Sequence, residues 1–162
     1  GVRVLDLSHV IAGPTASHYL ALEGAEVIKV EQPGKGDILR GGPRDLLDER
    51  VPVGFAAINI GKQSLALNLK QPRGQELLQQ LIRTADVFIE NFRPGAMERL
   101  GLGYEDLIAI NPRLVYAEFS AYGSKGTLAG MGANVESGEL VIREKSAGRA
   151  LSTSLFSRWV AK

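Results

Sequence analysis

Four side chains lie close together in one stretch of this sequence and suit one kind of ligand. They are the amide of Asn91, the ring of Phe92 and the guanidinium groups of Arg93 and Arg99. An aromatic face stacks on a flat ring, and guanidinium forks match phosphate oxygens two at a time. The chemistry indicated is recognition of a ligand that carries both a ring and phosphates. Asp86 to Ile89 reads as a short strand that breaks off at Glu90-Asn91-Phe92, before a Pro-Gly pair and a short helix with Arg99 near its end. Open α/β sheets bind ligands beyond the carboxyl ends of their strands, where backbone N–H groups and side chains converge. Taken alone, the same residues also suit a solvated loop with surface arginines, so the rest of the chain has to decide.

The elements that must position these groups follow from periodicity. Val2 to Leu7 (VRVLDL) has the apolar, β-branched character of a buried strand. A helix is expected from about Thr15 to Glu23, with Pro14 at its first turn and Gly24 at its end. Glu26 to Glu31 (EVIKVE) is a second strand, and strand, helix, strand at this spacing is a βαβ unit of a parallel sheet. Gly34 to Pro52 shows no period and reads as a long loop, of a length that tends to be functional or mobile. Ser64 to Leu69 alternates as a strand. Pro72 opens a helix with Leu77, Leu78, Leu81 and Ile82 on one face. A helical turn at Met97 to Leu100, a helix from Tyr104 to Ile110 and a strand from Leu114 to Phe119 follow. The expected fold is α/β, a doubly wound, mostly parallel, Rossmann-like sheet. Ser124 to Gly138 has no period, Glu139 to Lys145 fits strand or helix, and Leu151 to Lys162 is weakly helical without a cap.

The first βαβ unit invites a dinucleotide-binding reading, with Glu31 where a ribose-binding acid would lie. After the first strand, however, the chain reads HVIAGP, one glycine followed by proline. The glycine fingerprint that cradles a pyrophosphate is missing, which argues against a NAD-dependent oxidoreductase.

The bulk composition narrows the field further. The chain has 162 residues, of which 44% are hydrophobic and 23% charged, enough for one globular domain with a core. A net charge of +1 gives no global field for nucleic acid or an anionic membrane, so anion recognition must be local. Absence of cysteine removes disulfides and thiolate chemistry and leaves a reducing compartment as the default. Two histidines, His9 and His18, do not make a metal-ligand set, so no metal is expected. No apolar run is long enough to span a bilayer and no signal peptide is visible. Gly1 stands directly before a strand without Met, as expected of a trimmed or excised chain.

Three segments together resemble a known family. GVRVLDLSHVIAGP, GAEVIKVEQPGKGDILR and LALNLKQPRGQELLQQLIRTADVFIENFRPGAMERLGLGYEDLIAINPRLVYAEFSAYG look like the amino-terminal third of the class III CoA-transferases. That family includes formyl-CoA transferase, the carnitine CoA-transferases and the related α-methylacyl-CoA racemases. The segments D-V-x-x-E-N-F-x-P-G and V-I-K-V-E-x-P-x-x-G-D carry the likeness most specifically. The resemblance covers roughly Gly1 to Gly126. It implies an α/β CoA-binding portion at 1–126, a poorly matched remnant at 127–162, and an incomplete large domain of the CoA-transferase III fold.

The resemblance implies a coenzyme A site. Val10, Ile11 and Ala12 match a segment that lines it by backbone and apolar contacts. Arg40 and Lys70 match groups that approach the nucleotide phosphates. Leu67 and the pair Asn91-Phe92 match positions beside adenine and pantetheine, and Arg99 matches another phosphate-side arginine. Physical chemistry agrees in kind, because 3′-phospho-ADP is a multiply charged anion suited to arginine forks and lysine point charges. Singly, each residue has an ordinary reading: a lysine before a helix is usually solvated, and a leucine at a strand end is usually core.

Acyl transfer is the reaction implied by the resemblance. An aspartate carboxylate attacks the thioester carbonyl and passes through a mixed anhydride and an aspartyl-CoA thioester before an acceptor acid takes the CoA. The implied partners are an acyl-CoA and a carboxylic acid acceptor, in an interlocked homodimer without nucleic acid or membrane. The implied location is the cytoplasm, or a mitochondrial matrix or peroxisome in a eukaryote. Here the sequence departs from the pattern. No aspartate follows Asp106, so no catalytic residue is assigned, and the racemases' catalytic histidine has no counterpart. Arg143-Glu144-Lys145-Ser146 and Ser152 to Phe156 resemble a family segment that normally follows the aspartate, which implies a missing internal stretch between about Gly126 and Glu139. Three readings stay open: a CoA-transferase, a non-catalytic CoA- or nucleotide-binding fragment, and an acyl-CoA racemase-like enzyme.

Overall fold

The apolar runs of the chain become adjacent strands of one sheet. A computed structural model describes residues 1–41, 52–120, 139–143 and 151–154, the last two stretches as backbone strands. The strands are β1 (Arg3–Asp6), β2 (Glu26–Glu31), β3 (Gln63–Ala66), β4 (Val87–Glu90), β5 (Val115–Ser120), β6 (Glu139–Arg143) and β7 (Leu151–Ser154). Their order is β3-β2-β1-β4-β5-β6-β7. From β3 to β5 all neighbours are parallel, whereas β6 and β7 pair antiparallel.

Crossover helices account for the parallel part. Helix α1 (Ala12–Leu22) links β1 to β2, and α2 (Val53–Ala57) precedes β3. Helix α3 (Pro72–Ile82) links β3 to β4, while α4 (Ala96–Arg99) and α5 (Tyr104–Ile110) lie between β4 and β5. The chain therefore winds outward from β1 to β3 and returns to β4 on the opposite side of β1. That reversal creates a topological switch point at the carboxyl ends of β1 and β4.

Alternation along the strands sorts the core onto two faces. Leu5, Leu7, Phe88 and Tyr116 pack on one side with Leu78 and Ile82 of α3 and Leu107 of α5. Val4, Val27, Ile89, Ala117 and Phe119 pack on the other, where Ala16 and Ala21 bring α1 close. Leu78 and Ile82 are fully buried at i and i+4 spacing, each stabilising the fold by roughly 1.5–3 kcal/mol.

The differences from the sequence reading are local. Helix α1 starts at Ala12 rather than Thr15, so Gly13 and Pro14 lie inside its first turn. A Cβ on Gly13 would overlap the side chain of Ser8; the glycine serves close approach of helix to strand end. Strand β3 ends at Ala66, because Asn68 turns the chain and its Oδ1 accepts the Lys70 N–H at 3.1 Å. The loop expected from Gly34 to Pro52 contains a 3-10 turn at Ile38–Gly41, and its residues 42–51 lie outside the described residues. Of the two options at 139–145, the structure takes strand at Glu139–Arg143. The weakly helical reading of Leu151 to Lys162 is corrected at its start. Leu151–Ser154 is a strand held by antiparallel pairing with β6, a tertiary contact that overrides weak local propensity. The aperiodic stretch 124–138 and residues 155–162 lie outside the described residues.

Candidate functional site

Beyond β1 the backbone leaves the sheet, and side chains take over its hydrogen bonds. The Ser8 N–H donates to Asp6 Oδ1 at 2.9 Å, and the Ser8 carbonyl accepts from Lys29 Nζ at 2.8 Å. The His9 N–H donates to Asn91 Oδ1 and its carbonyl accepts from Asn91 Nδ2, both at 2.7 Å. The Val10 N–H points at both oxygens of Asp37, 3.2 Å from each. Backbone that leaves a sheet needs other partners, and here they come from β1, from β2 and the turn after it, and from the residue after β4. The result is a strap of three residues fixed across the switch point. Val10 has φ 68°, and Ile11, 49% exposed, enters α1 behind it. Among the described residues no side chain caps that helix.

Underneath lies a buried ionic network. Asp6 is fully buried and accepts from Ser17 Oγ at 2.6 Å, from the Ser8 hydroxyl, and from Lys62 Nζ at 2.9 Å. Lys62 also donates to the Pro14 carbonyl at 2.8 Å and to Asn59 Oδ1 at 2.9 Å. Burial alone would raise the Asp6 carboxyl, but Lys29, Lys62 and the two serine hydroxyls outweigh it and hold it below the usual carboxylate range. Lys29, with a side chain 2% exposed, reaches Asp37 at 3.2 Å. The His9 imidazole stands 3.9 Å from Asp37 and edge-on to Phe92, with ring centroids 5.4 Å apart. Burial pulls its pKa down against the pull of Asp37, favouring the neutral ring.

Glu31, considered as a ribose acid, has a different job. It is buried, receives the Asp37 N–H at 2.8 Å, and holds Arg40 through Nε at 2.7 Å and through a terminal nitrogen. Burial would raise Glu31, but the hydrogen bonds from Arg40 and Asp37 outweigh it. The Arg40 guanidinium also lies over the Phe55 ring, 3.9 Å from its centroid. Thus Arg40 is a fixed, stacked cation rather than a swinging one, and its bonds to Glu31 raise its pKa further.

The expected site residues divide into two groups. Val10, Asn91, Phe92 and Arg40 belong to one connected set through His9, Asp37 and Glu31. Ile11 and Ala12 adjoin that set on the exposed start of α1. Asn91 is there with its carboxamide committed to the His9 backbone. Leu67 lies just past β3, buried with its N–H donating to the Glu31 carbonyl at 2.9 Å, so its side chain is core at the wall of the edge. Lys70 is exposed on the turn after β3, Arg93 on the loop after β4 and Arg99 at the end of α4; none is drawn into the set by a described contact. Sequence reasoning missed Asp6, Lys29, Asp37 and Lys62. A signal for two was present: a lysine inside EVIKVE and an aspartate inside VLDL are charges in buried strands, where a charge persists only when paired.

A second carboxylate group lies at the ends of β4 and β5. Glu90 is 4% exposed, accepts the Phe92 N–H at 2.7 Å and the Tyr116 hydroxyl at 3.1 Å, and faces Glu118 in register. Burial, with Glu118 adding to it, pushes Glu90 up to about 7.

The parallel sheet from β3 to β5, wound in both directions from β1, defines a doubly wound α/β domain, with a pinned strap and a stacked arginine at its carboxyl edge. The model of CoA-transferase family III matches residues 1–137, and the chain belongs to that family. It is 47% identical over 123 residues to a formyl-CoA:oxalate CoA-transferase of Rhodopseudomonas palustris, covering 76% of this chain and 29% of the relative. An acyl-CoA transferase of Fusarium pseudograminearum is 47% identical over 133 residues, covering 78% of this chain and 29% of the relative. Among solved structures, a CAIB/BAIF family protein from Brucella suis superposes with a TM-score of 0.77 at 40% identity, over 82% of this chain and 36% of that one. The chain thus spans 29% of the length of these two curated relatives.

Proposed function

We propose that this chain supplies the acyl-CoA-binding portion of an enzyme that moves CoA between carboxylic acids. The observation that supports it best is the gathering of Val10, Arg40 and Phe92, with Ile11 and Ala12 beside them, at the carboxyl edge of the sheet in a chain of CoA-transferase family III. The donor set fits coenzyme A. Exposed Lys70 and Arg99 suit its phosphates, Arg40 offers a fixed cationic plane, and the uncapped start of α1 suits an anion. Acyl-CoA and a carboxylic acid are the substrates in this reading, and a cytoplasmic homodimer is the form that goes with it.

Titration with coenzyme A tests the binding assignment. Arg40→Ala with Arg99→Ala weakens binding and flattens its salt dependence; unchanged affinity in the pair rejects the phosphate roles.

The second reading is a CoA-binding module without transfer activity, favoured by the absence of any aspartate after Asp106. Incubation with an acyl-CoA and a second carboxylic acid separates the two, since only a transferase exchanges the acid and yields an intermediate trapped by hydroxylamine. Deuterium exchange at the acyl α-carbon without exchange of acids would instead indicate a racemase.

A further inference from the structure

Val10 is the one described residue other than glycine with a positive φ, at 68°. For a β-branched residue this left-handed conformation is an outlier that persists only where the surroundings over-determine it. The surroundings are specific. Both Asp37 oxygens lie 3.2 Å from the Val10 N–H, and Asp37 Oδ1 also accepts the Leu39 N–H at 3.0 Å. Lys29 Nζ bridges Asp37 Oδ2 at 3.2 Å and the Ser8 carbonyl at 2.8 Å, so one buried ammonium fixes the carboxylate and the strap that it restrains. Asp37 is itself fixed by its N–H on Glu31, the acid that also holds Arg40.

We propose that Asp37 is a positioning residue for the acyl-CoA site: it pins the Val10 N–H in the left-handed conformation that turns Ile11 and Ala12 toward the ligand edge. The proposal rests on the reading of this edge as an acyl-CoA site. Asp37 itself touches no ligand. Its action is to keep the peptide of a strained residue in place before the ligand arrives, which removes an ordering cost from binding.

Glycine adopts positive φ without strain, so the test is a double-mutant cycle between Asp37→Asn and Val10→Gly, read as the dissociation constant of coenzyme A. With Val10 present, Asp37→Asn is expected to weaken binding by about tenfold; with glycine at position 10 the same change is expected to weaken it less than about threefold. Coupling of this sign is not produced by a general loss of folding, which the melting temperature of each variant monitors. If Asp37→Asn does not fold with Lys29 buried beside it, Lys29→Met combined with Asp37→Asn removes both charges, and the Val10 and glycine backgrounds are compared there. Equal losses in the two backgrounds, or no loss in either, overturn the positioning role alone. A wild-type chain that does not bind coenzyme A overturns the parent reading and this proposal with it.

Discussion

The carboxamide of Asn91 closes a two-way bridge on the backbone of His9, accepting from its N–H and donating to its carbonyl at 2.7 Å each. The amide thereby replaces a rung of the sheet where β1 and β4 diverge. Asn91→Ala leaves both backbone groups unpaired in a half-buried position and should reduce stability by about 2–3 kcal/mol, measured by urea unfolding. Asn91→Asp keeps the acceptor but sets a carboxylate against the His9 carbonyl. It should be at least as damaging, and wild-type stability in this variant would show that the donated bond contributes nothing.

Lys62 ties Asp6 to the Pro14 carbonyl and to Asn59. Lys62→Met leaves a fully buried carboxylate with one cation fewer, which should cost about 3–5 kcal/mol. The wild-type Asp6 pKa is lowered in the folded state, so its stabilisation is complete above the unfolded value and is lost as pH falls through the folded one. In the Lys62→Met variant this acid loss should begin at higher pH. Unfolding curves in urea across a pH series measure both effects; identical acid limbs would refute the coupling.

Glu90 has the opposite sign. Its folded pKa is raised from 4.5 to about 7, so the folded state holds the proton more tightly than the unfolded chain. Stability from this group is present below about pH 4.5, declines as pH rises toward 7 and is then constant, a total on the order of 3 kcal/mol. Glu90→Gln should flatten that decline and stabilise the protein at pH 8, read as a higher melting temperature there than wild type. A variant that melts lower at pH 8 than wild type would mean that the ionised acid is better satisfied than its burial implies.

Gly13 meets Ser8 where α1 presses on the end of β1. Gly13→Ala forces helix and strand apart, at a cost of about 1–3 kcal/mol from overpacking. Because Ser8 also bonds Asp6 and Lys29, coenzyme A affinity should fall together with melting temperature. An unchanged melting temperature would show that the contact relaxes freely.

The sheet was legible because its strands are short apolar runs punctuated by Gly, Pro and Asn, and because α3 shows its buried face at 3.6 spacing. The first helix starts earlier than the sequence suggests, since Gly13-Pro14 signals a boundary locally, while the glycine in fact lies inside the first turn where it passes close to Ser8. Strand β7 was misread for a similar reason: LSTS has little propensity of its own and becomes a strand by pairing with β6. At the site, the family likeness named residues expected beside a ligand, but not those that hold Val10, Asn91 and Arg40 in place. Asn91 shows the limit most clearly, for a sequence reveals an amide at a strand end but not that the amide faces another strand's backbone. Lys29 and Asp37 form a contact pair only once β2 and the turn after it are folded.

The strap at residues 8–10 is completed by groups at 29, 37 and 91, which enter the chain long after it. A nascent polypeptide that has not yet reached Asn91 can form the first βαβ unit but cannot set the His9 peptide. The Ser8 and Val10 supports at Lys29 and Asp37 belong to the first βαβ unit and the turn after it, whereas the His9 peptide is bridged only where β4 lies beside β1. A lesion that displaces β4 from β1 therefore frees the His9 peptide even where the rest of the strap is intact.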